Sequence, residues 1–146
     1  MHPDAPAGVQ QRADRISLLL DVDPASAANA RDALLAFEDR VEPEVMGDVR
    51  LLVSELVTNS VRHSNTPASD HVELDVWVDS TAIRVEVRDT GSGFEPQPRA
   101  ADRSTPGGWG LYLVQRLTDR WGVACNHVTR VWFEIDFLAA RTRAQL

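Results

Sequence analysis

Between Glu44 and His63 the apolar residues Val45, Val49, Leu52, Val53, Leu56 and Val57 recur at helical spacing, and from Val72 onward they recur at every second position. This change of period, helix first and sheet afterwards, restricts the fold more than any other feature. The helical stretch stops at Asn65-Thr66-Pro67. Val72, Leu74, Val76 and Val78, a turn at Asp79-Ser80-Thr81, and then Ile83, Val85 and Val87 predict a β-hairpin. Upstream, Arg15 to Asp21 reads as a short strand. Asp23-Pro24 reads as an N-cap with proline at the first helical position, ahead of Ala27, Ala30, Leu34 and Phe37 at helical spacing. Downstream, a proline-bearing loop from Phe94 to Pro106 leads into GGWG, and Leu113, Val114, Leu117 and Trp121 share one helical face. Val123 to Asn126 and Thr129 to Phe137 read as closing strands. The order β-α-α-β-β-loop-α-β-β, without an internal repeat, predicts an α+β fold, a two-layer α/β sandwich with helices on one face of a mixed sheet.

A chain of 146 residues is long enough for one domain with its own core, here expected over 14–138, with a disordered N-terminus over 1–13 and a tail over 139–146. No run of 18 apolar residues occurs, and the opening MHPDAPAGVQQRADR lacks an apolar signal segment, so a cytoplasmic protein with no membrane contact is expected. The single cysteine, Cys125, has no partner for an internal disulfide, in keeping with a reducing compartment. Net charge is -7, from 22 acidic against 15 basic residues with no basic run, which argues against direct nucleic-acid binding and leaves basic protein surfaces as partners. All 15 basic residues are arginine. Without lysine there is no P-loop, no eukaryotic-type protein kinase and no Schiff-base chemistry. His2, His63, His71 and His127 show no metal-ligand spacing, and no GxSxG elbow occurs.

Residues 88–94, RDTGSGF, fit two chemistries. Asp-Thr-Gly-Ser is the catalytic turn of aspartic proteases, which need two carboxylates sharing a proton. One Asp-Thr-Gly is present, so a homodimer would have to supply the second, and that fold is nearly all β whereas two helical segments come first here. A dinucleotide GxGxxG would require glycine where Pro96 stands. Period-two counting places Asp89 at the end of the row Ile83, Val85, Val87, so its carboxylate faces inward and needs donors. Its own turn could supply them, as could an amino group on an adenine ring, with Gly91 and Gly93 letting the backbone approach a ligand.

The second helix contains ELVTNSVRH, in which Glu55, Asn59 and Arg62 fall within an arc of about 60° beside the apolar stripe. Three polar residues there are either a solvated helix edge or one wall of a site. GGWGLYLV, Gly107 to Val114, is glycine-rich backbone entering a helix, either a capped flexible loop or a phosphate cradle.

Taken together, ExxxN on a helix, DxGxGF after a strand and GGxGLxLV after a loop resemble the N box and glycine boxes of the GHKL (Bergerat-fold) ATP-binding family. Within it, ELVTNSVRHS and the closing WGV and VWFEI are most similar to stand-alone anti-sigma-factor serine kinases, over roughly Ile16 to Phe137. The resemblance implies ATP and Mg²⁺ as cofactors. Glu55 would be the general base and Asn59 the Mg²⁺ ligand, and Asp89 would accept from the adenine amino group. Gly91 and Gly93 would shape the pocket. Gly107, Gly108 and Gly110 would present backbone N–H groups to the phosphates, and Leu111 of the same box is included with them. Arg62 and His63 would sit near the phosphates. Some relatives carry a threonine two residues before the closing tryptophan. Arg130 holds that position here with Thr129 beside it, and the one-residue offset points to the other sheet face, which leaves both outside the expected site. The implied activity is a serine/threonine protein kinase that phosphorylates an anti-sigma antagonist protein, with a sigma factor as competing partner and a homodimer as the subgroup's frequent assembly. The alternative is a nucleotide-dependent binding protein that sequesters its partner and transfers nothing.

Overall fold

The computed structural model describes residues 14–62, 71–89, 110–125 and 128–144. The first strand, β1 (Asp14–Asp21), leads to helix α1 (Ser26–Ala33), a 3-10 turn (Leu34–Phe37) and the long helix α2 (Pro43–Arg62). A hairpin of β2 (His71–Val78) and β3 (Ala82–Asp89) comes next. Helix α3 (Gly110–Leu117), strands β4 (Arg120–Cys125) and β5 (Thr129–Asp136), and helix α4 (Phe137–Ala144) complete the chain. The sheet order is β1-β2-β3-β5-β4, so β5 turns back from the edge strand β4 and inserts beside β3. Every ladder is antiparallel. The α+β class and the two layers are as expected, but the sheet is not mixed among the described residues, because each strand enters beside a neighbour that runs the opposite way.

The core lies between the helices and one sheet face. Val49, Leu52, Val53 and Val57 of α2 are fully buried, as are Leu74, Val76, Ile83, Val85, Phe133 and Ile135 of the sheet. Both expected periods thus meet across one interface, as an amphipathic helix on a sheet requires. The β2–β3 turn is stabilised by Asp79, whose carboxylate accepts from the backbone N–H groups of Thr81 and Ala82. These bonds hold its carboxyl below the ordinary value of 3.8.

Three boundaries differ from the sequence reading. Asp23 does not cap α1; its carboxylate accepts from Ala25 N–H at 2.7 Å in a local turn, and the helix begins two residues after Pro24. Trp121 is not on the third helix. It lies in β4 opposite Phe133, and the helix stops at Leu117 because Asp119 starts the strand through its backbone N–H to Glu134 and its carboxylate to Asp136 N–H. Residues expected as a tail form α4, tied back by Arg141 to Glu42 at 2.7 Å.

The opposite sheet face carries an alternation of rings and guanidinium groups. Arg15 lies 5.0 Å from the Trp77 ring, and Arg84 lies 5.9 Å from Trp77 and 4.4 Å from Trp132. The Trp132 indole covers Gly122 on β4, where an added Cβ would stand 2.5 Å from its Nε1. Also on this face, Asp75 is buried and accepts from Ser17 Oγ, Arg15 and Arg88. Burial pushes its carboxyl up, but the Ser17 and Arg15 hydrogen bonds, with the Arg15 and Arg88 charges, outweigh it and hold the group below 3.8.

Gly122→Ala should tip the Trp132 indole off β4 and away from Arg84, costing about 1–3 kcal/mol. Thermal unfolding and near-ultraviolet circular dichroism check this, and an unchanged melt with an unchanged aromatic spectrum would contradict it.

Candidate functional site

Asp89 closes the inward row of β3 and is 6% exposed. The register places it opposite Val72 on one side and Thr129 on the other, and Thr129 is 9% exposed. A buried carboxylate and a buried hydroxyl thus lie side by side at the end of the β3–β5 ladder. Together they offer an acceptor and a group that both donates and accepts, the pairing suited to the edge of an amino-bearing ring.

Helix α2 packs on β3 and on α3. Its stripe sinks Leu52, Val53, Leu56 and Val57 into the core, which leaves Glu55 and Asn59 half-buried at the border and Arg62 exposed in the last turn. Glu55 and Asn59 are one turn apart, so both project from one side of the helix. The Asn59 Oδ1 atom is fully buried and has no hydrogen-bond partner among the described residues. An orphaned buried acceptor costs about 1–3 kcal/mol. A hard carbonyl oxygen of this kind suits Mg²⁺, so the donor present fits the metal the sequence resemblance implies. Gly110 opens α3, and the next residue, Leu111, is 5% exposed and turned into the core. The N-terminal N–H groups of α3 therefore sit at the edge of the layer that contains α2.

Of the residues expected at the site, Glu55, Asn59, Arg62, Asp89, Gly110 and Leu111 are described, and His63, Gly91, Gly93, Gly107 and Gly108 lie outside the described residues. Thr129 is an addition. The sequence reading set it aside with Arg130 on grounds of face, yet Thr129 shares the inward row of Val131, Phe133 and Ile135. Arg130 turns outward toward Glu86. Counting back by twos from Ile135 identifies Thr129 without any structure.

Known proteins share the family and the fold. Residues 20–133 match the family described as the histidine kinase-like ATPase domain. The chain is 30% identical over 122 residues to the serine-protein kinase RsbW of Listeria innocua, covering 73% of this chain and 76% of that protein. It is 33% identical over 78 residues to the anti-sigma F factor of Clostridium botulinum, covering 51% and 54%. Among solved structures, the RsbU and RsbW domains of a Mycobacterium tuberculosis protein superpose with a TM-score of 0.66 at 17% identity, covering 84% of this chain and 32% of that one. The histidine kinase domain of a blue-light activated kinase from Erythrobacter litoralis gives 0.59 at 26%, covering 82% and 63%. The aspartic protease reading of Asp-Thr-Gly-Ser falls with the family match, and Asp89 ends a strand of a helix-covered sheet.

Because an unpartnered Asn59 Oδ1 is a cost to the ligand-free fold, Asn59→Leu should leave that fold intact and raise its melting temperature by a few degrees. A fall in melting temperature would show that the Asn59 amide serves the fold itself.

Proposed function

The chain belongs to the histidine kinase-like ATPase domain family, and on that premise we propose that it is an ATP-dependent serine/threonine protein kinase of the anti-sigma-factor type. Its acceptor is an anti-sigma antagonist protein, and a sigma factor competes for it. The observation that carries the proposal is the buried, unpartnered Asn59 Oδ1 one turn beyond Glu55. A second copy of the chain is the further partner the resemblance implies. A kinase that consumes ATP works where ATP is made, which accords with a cytoplasmic location; among the described residues no helix is long and apolar enough to cross a membrane.

In this reading Asp89 accepts from the adenine amino group, and Thr129 beside it steadies the same edge of the ring. The α3 N-terminus, with Gly110, presents backbone N–H groups and the positive end of its dipole to the phosphates. Asn59 would hold Mg²⁺ through Oδ1, and the metal would supply positive charge that a chain without lysine lacks from that source. Glu55 orients the partner's hydroxyl and takes its proton as the oxygen bonds to the γ-phosphorus and the bond to the β-phosphate oxygen breaks, leaving ADP. Arg62, exposed in the last turn of α2, and His63, which follows it in sequence, are the residues that the resemblance would place near the phosphates.

Glu55→Gln keeps the size and the hydrogen bonding but cannot take a proton, so phosphate transfer should fall by about a hundred- to ten-thousandfold while ATP affinity and partner capture persist. A phosphorylation assay and a pull-down on parent and variant, with the same antagonist protein and Mg-ATP, check this. Transfer at the parental rate removes Glu55 as the base. A parent that captures its partner only with ATP yet transfers nothing would make the protein a sequestering switch instead.

A further inference from the structure

On the outward sheet face, directly behind Asp89 and Thr129, two arginines are placed opposite each other. The β3–β5 register pairs Arg88 with Arg130, and the next pair, Asp89 with Thr129, is the last of that ladder. Directly opposed side chains in an antiparallel pair start from Cβ atoms about 4.5–5.5 Å apart, and like charges there push the strands apart. Among the described residues no further β3–β5 pair follows to resist that push. Three carboxylates answer it. Arg88 Nη2 lies 2.5 Å from Glu73 and 3.1 Å from Asp75, and Arg130 Nη1 lies 3.7 Å from Glu86. Asp75 and Glu86, themselves a cross-strand pair, are buried at 3% and 7%, where solvent screens them least. Arg15 at 2.8 Å and Ser17 fix Asp75 from β1, and Arg84 at 3.6 Å flanks Glu86. Arg84 also lies 3.7 Å from Glu134, so four arginines face four acids, and loss of either buried acid leaves a cationic excess beside the Asp89–Thr129 pair.

We infer that Asp75 and Glu86 are positioning residues for the nucleotide: by neutralising Arg88 and Arg130 they keep β3 and β5 closed at the Asp89–Thr129 pair, so that both side chains meet one edge of the adenine ring together. The inference rests on the nucleotide reading above. Neither acid touches the nucleotide, since both lie on the sheet face opposite the helices. Their effect is therefore on discrimination of the base, and it is relieved by removing the charge they oppose.

Calorimetric titration of ATP and of GTP, with Mg²⁺, into the parent, Asp75→Asn, Arg130→Gln and the double variant tests this. Asp75→Asn should weaken ATP binding by about three- to fivefold and narrow the preference for ATP over GTP. Arg130→Gln alone should leave both near parental values, and the double variant should recover the affinity and the preference. In about 1 M salt the difference between Asp75→Asn and parent should shrink, because the repulsion left in the variant is between Arg88 and Arg130, whose partly exposed side chains salt screens. Glu86→Gln, with the same rescue, carries the test if Asp75→Asn does not fold by circular dichroism. Parental selectivity in both acid variants, or a loss that Arg130→Gln does not repair, overturns the inference. An Asp89→Asn arm separates the two levels: if it loses ATP preference while the acid variants keep theirs, only the positioning role fails, and if the parent binds no ATP the nucleotide reading itself fails.

Discussion

The packing of α2 on the inner face of β2 and β3 is the interaction on which the remaining structure depends. Val49, Leu52, Val53 and Val57 are fully buried against a sheet face of Leu74, Val76, Ile83 and Val85. At about 1.5–3 kcal/mol for each buried aliphatic side chain, this contact supplies much of the fold's stability. It also fixes two geometries at once. The helix can rotate little without exposing its stripe, so Glu55 and Asn59 are held at the border of the layer, and β3 cannot slip by one residue without turning Asp89 outward. Core and site are therefore one construction, with the polar groups at the edges of apolar rows.

The two sheet faces divide the work. Toward the helices the strands are apolar until their ends, where Asp89 and Thr129 appear. Toward the outside they carry Trp77 and Trp132 stacked with Arg15 and Arg84, and a carboxylate–arginine lattice around Asp75 and Glu86. Arginine suits this role because its planar group stacks on a ring and bonds two carboxylates at once, as Arg88 does with Glu73 and Asp75 of the neighbouring strand β2. A chain whose basic residues are all arginine can build such a lattice, and in the proposed function phosphate charge would be met without lysine, by metal, helix terminus, backbone and Arg62.

Much of this was readable from residue spacing. Helix α2 was apparent because its stripe runs unbroken from Val45 to Val57, and the β2–β3 hairpin because Asp79 marks its turn. Asp89 could be placed by counting from Ile83. Trp121 was misplaced because a tryptophan four residues past Leu117 and seven past Val114 fits a helical stripe as well as it fits a strand, and only the tertiary bonds of Asp119 decide between them. Helix α4 left little trace: Phe137 and Ala140 pack on the core while Leu138 is 75% exposed, so no stripe announces it. Thr129 was missed for a different reason. Its spacing from Trp132 was weighed as an offset, when its parity with Val131, Phe133 and Ile135 decides its face.

The central claim is that a lysine-free site holds ATP through Asp89 on the base and a metal at Asn59 on the phosphates. Titration of ATP into the purified chain, once with Mg²⁺ and once with EDTA, measures it directly. The account predicts saturable binding with Mg²⁺ that weakens at least about tenfold in EDTA, the equivalent of one lost charge-assisted contact. Equal affinity in the two buffers, or no binding in either, would contradict it.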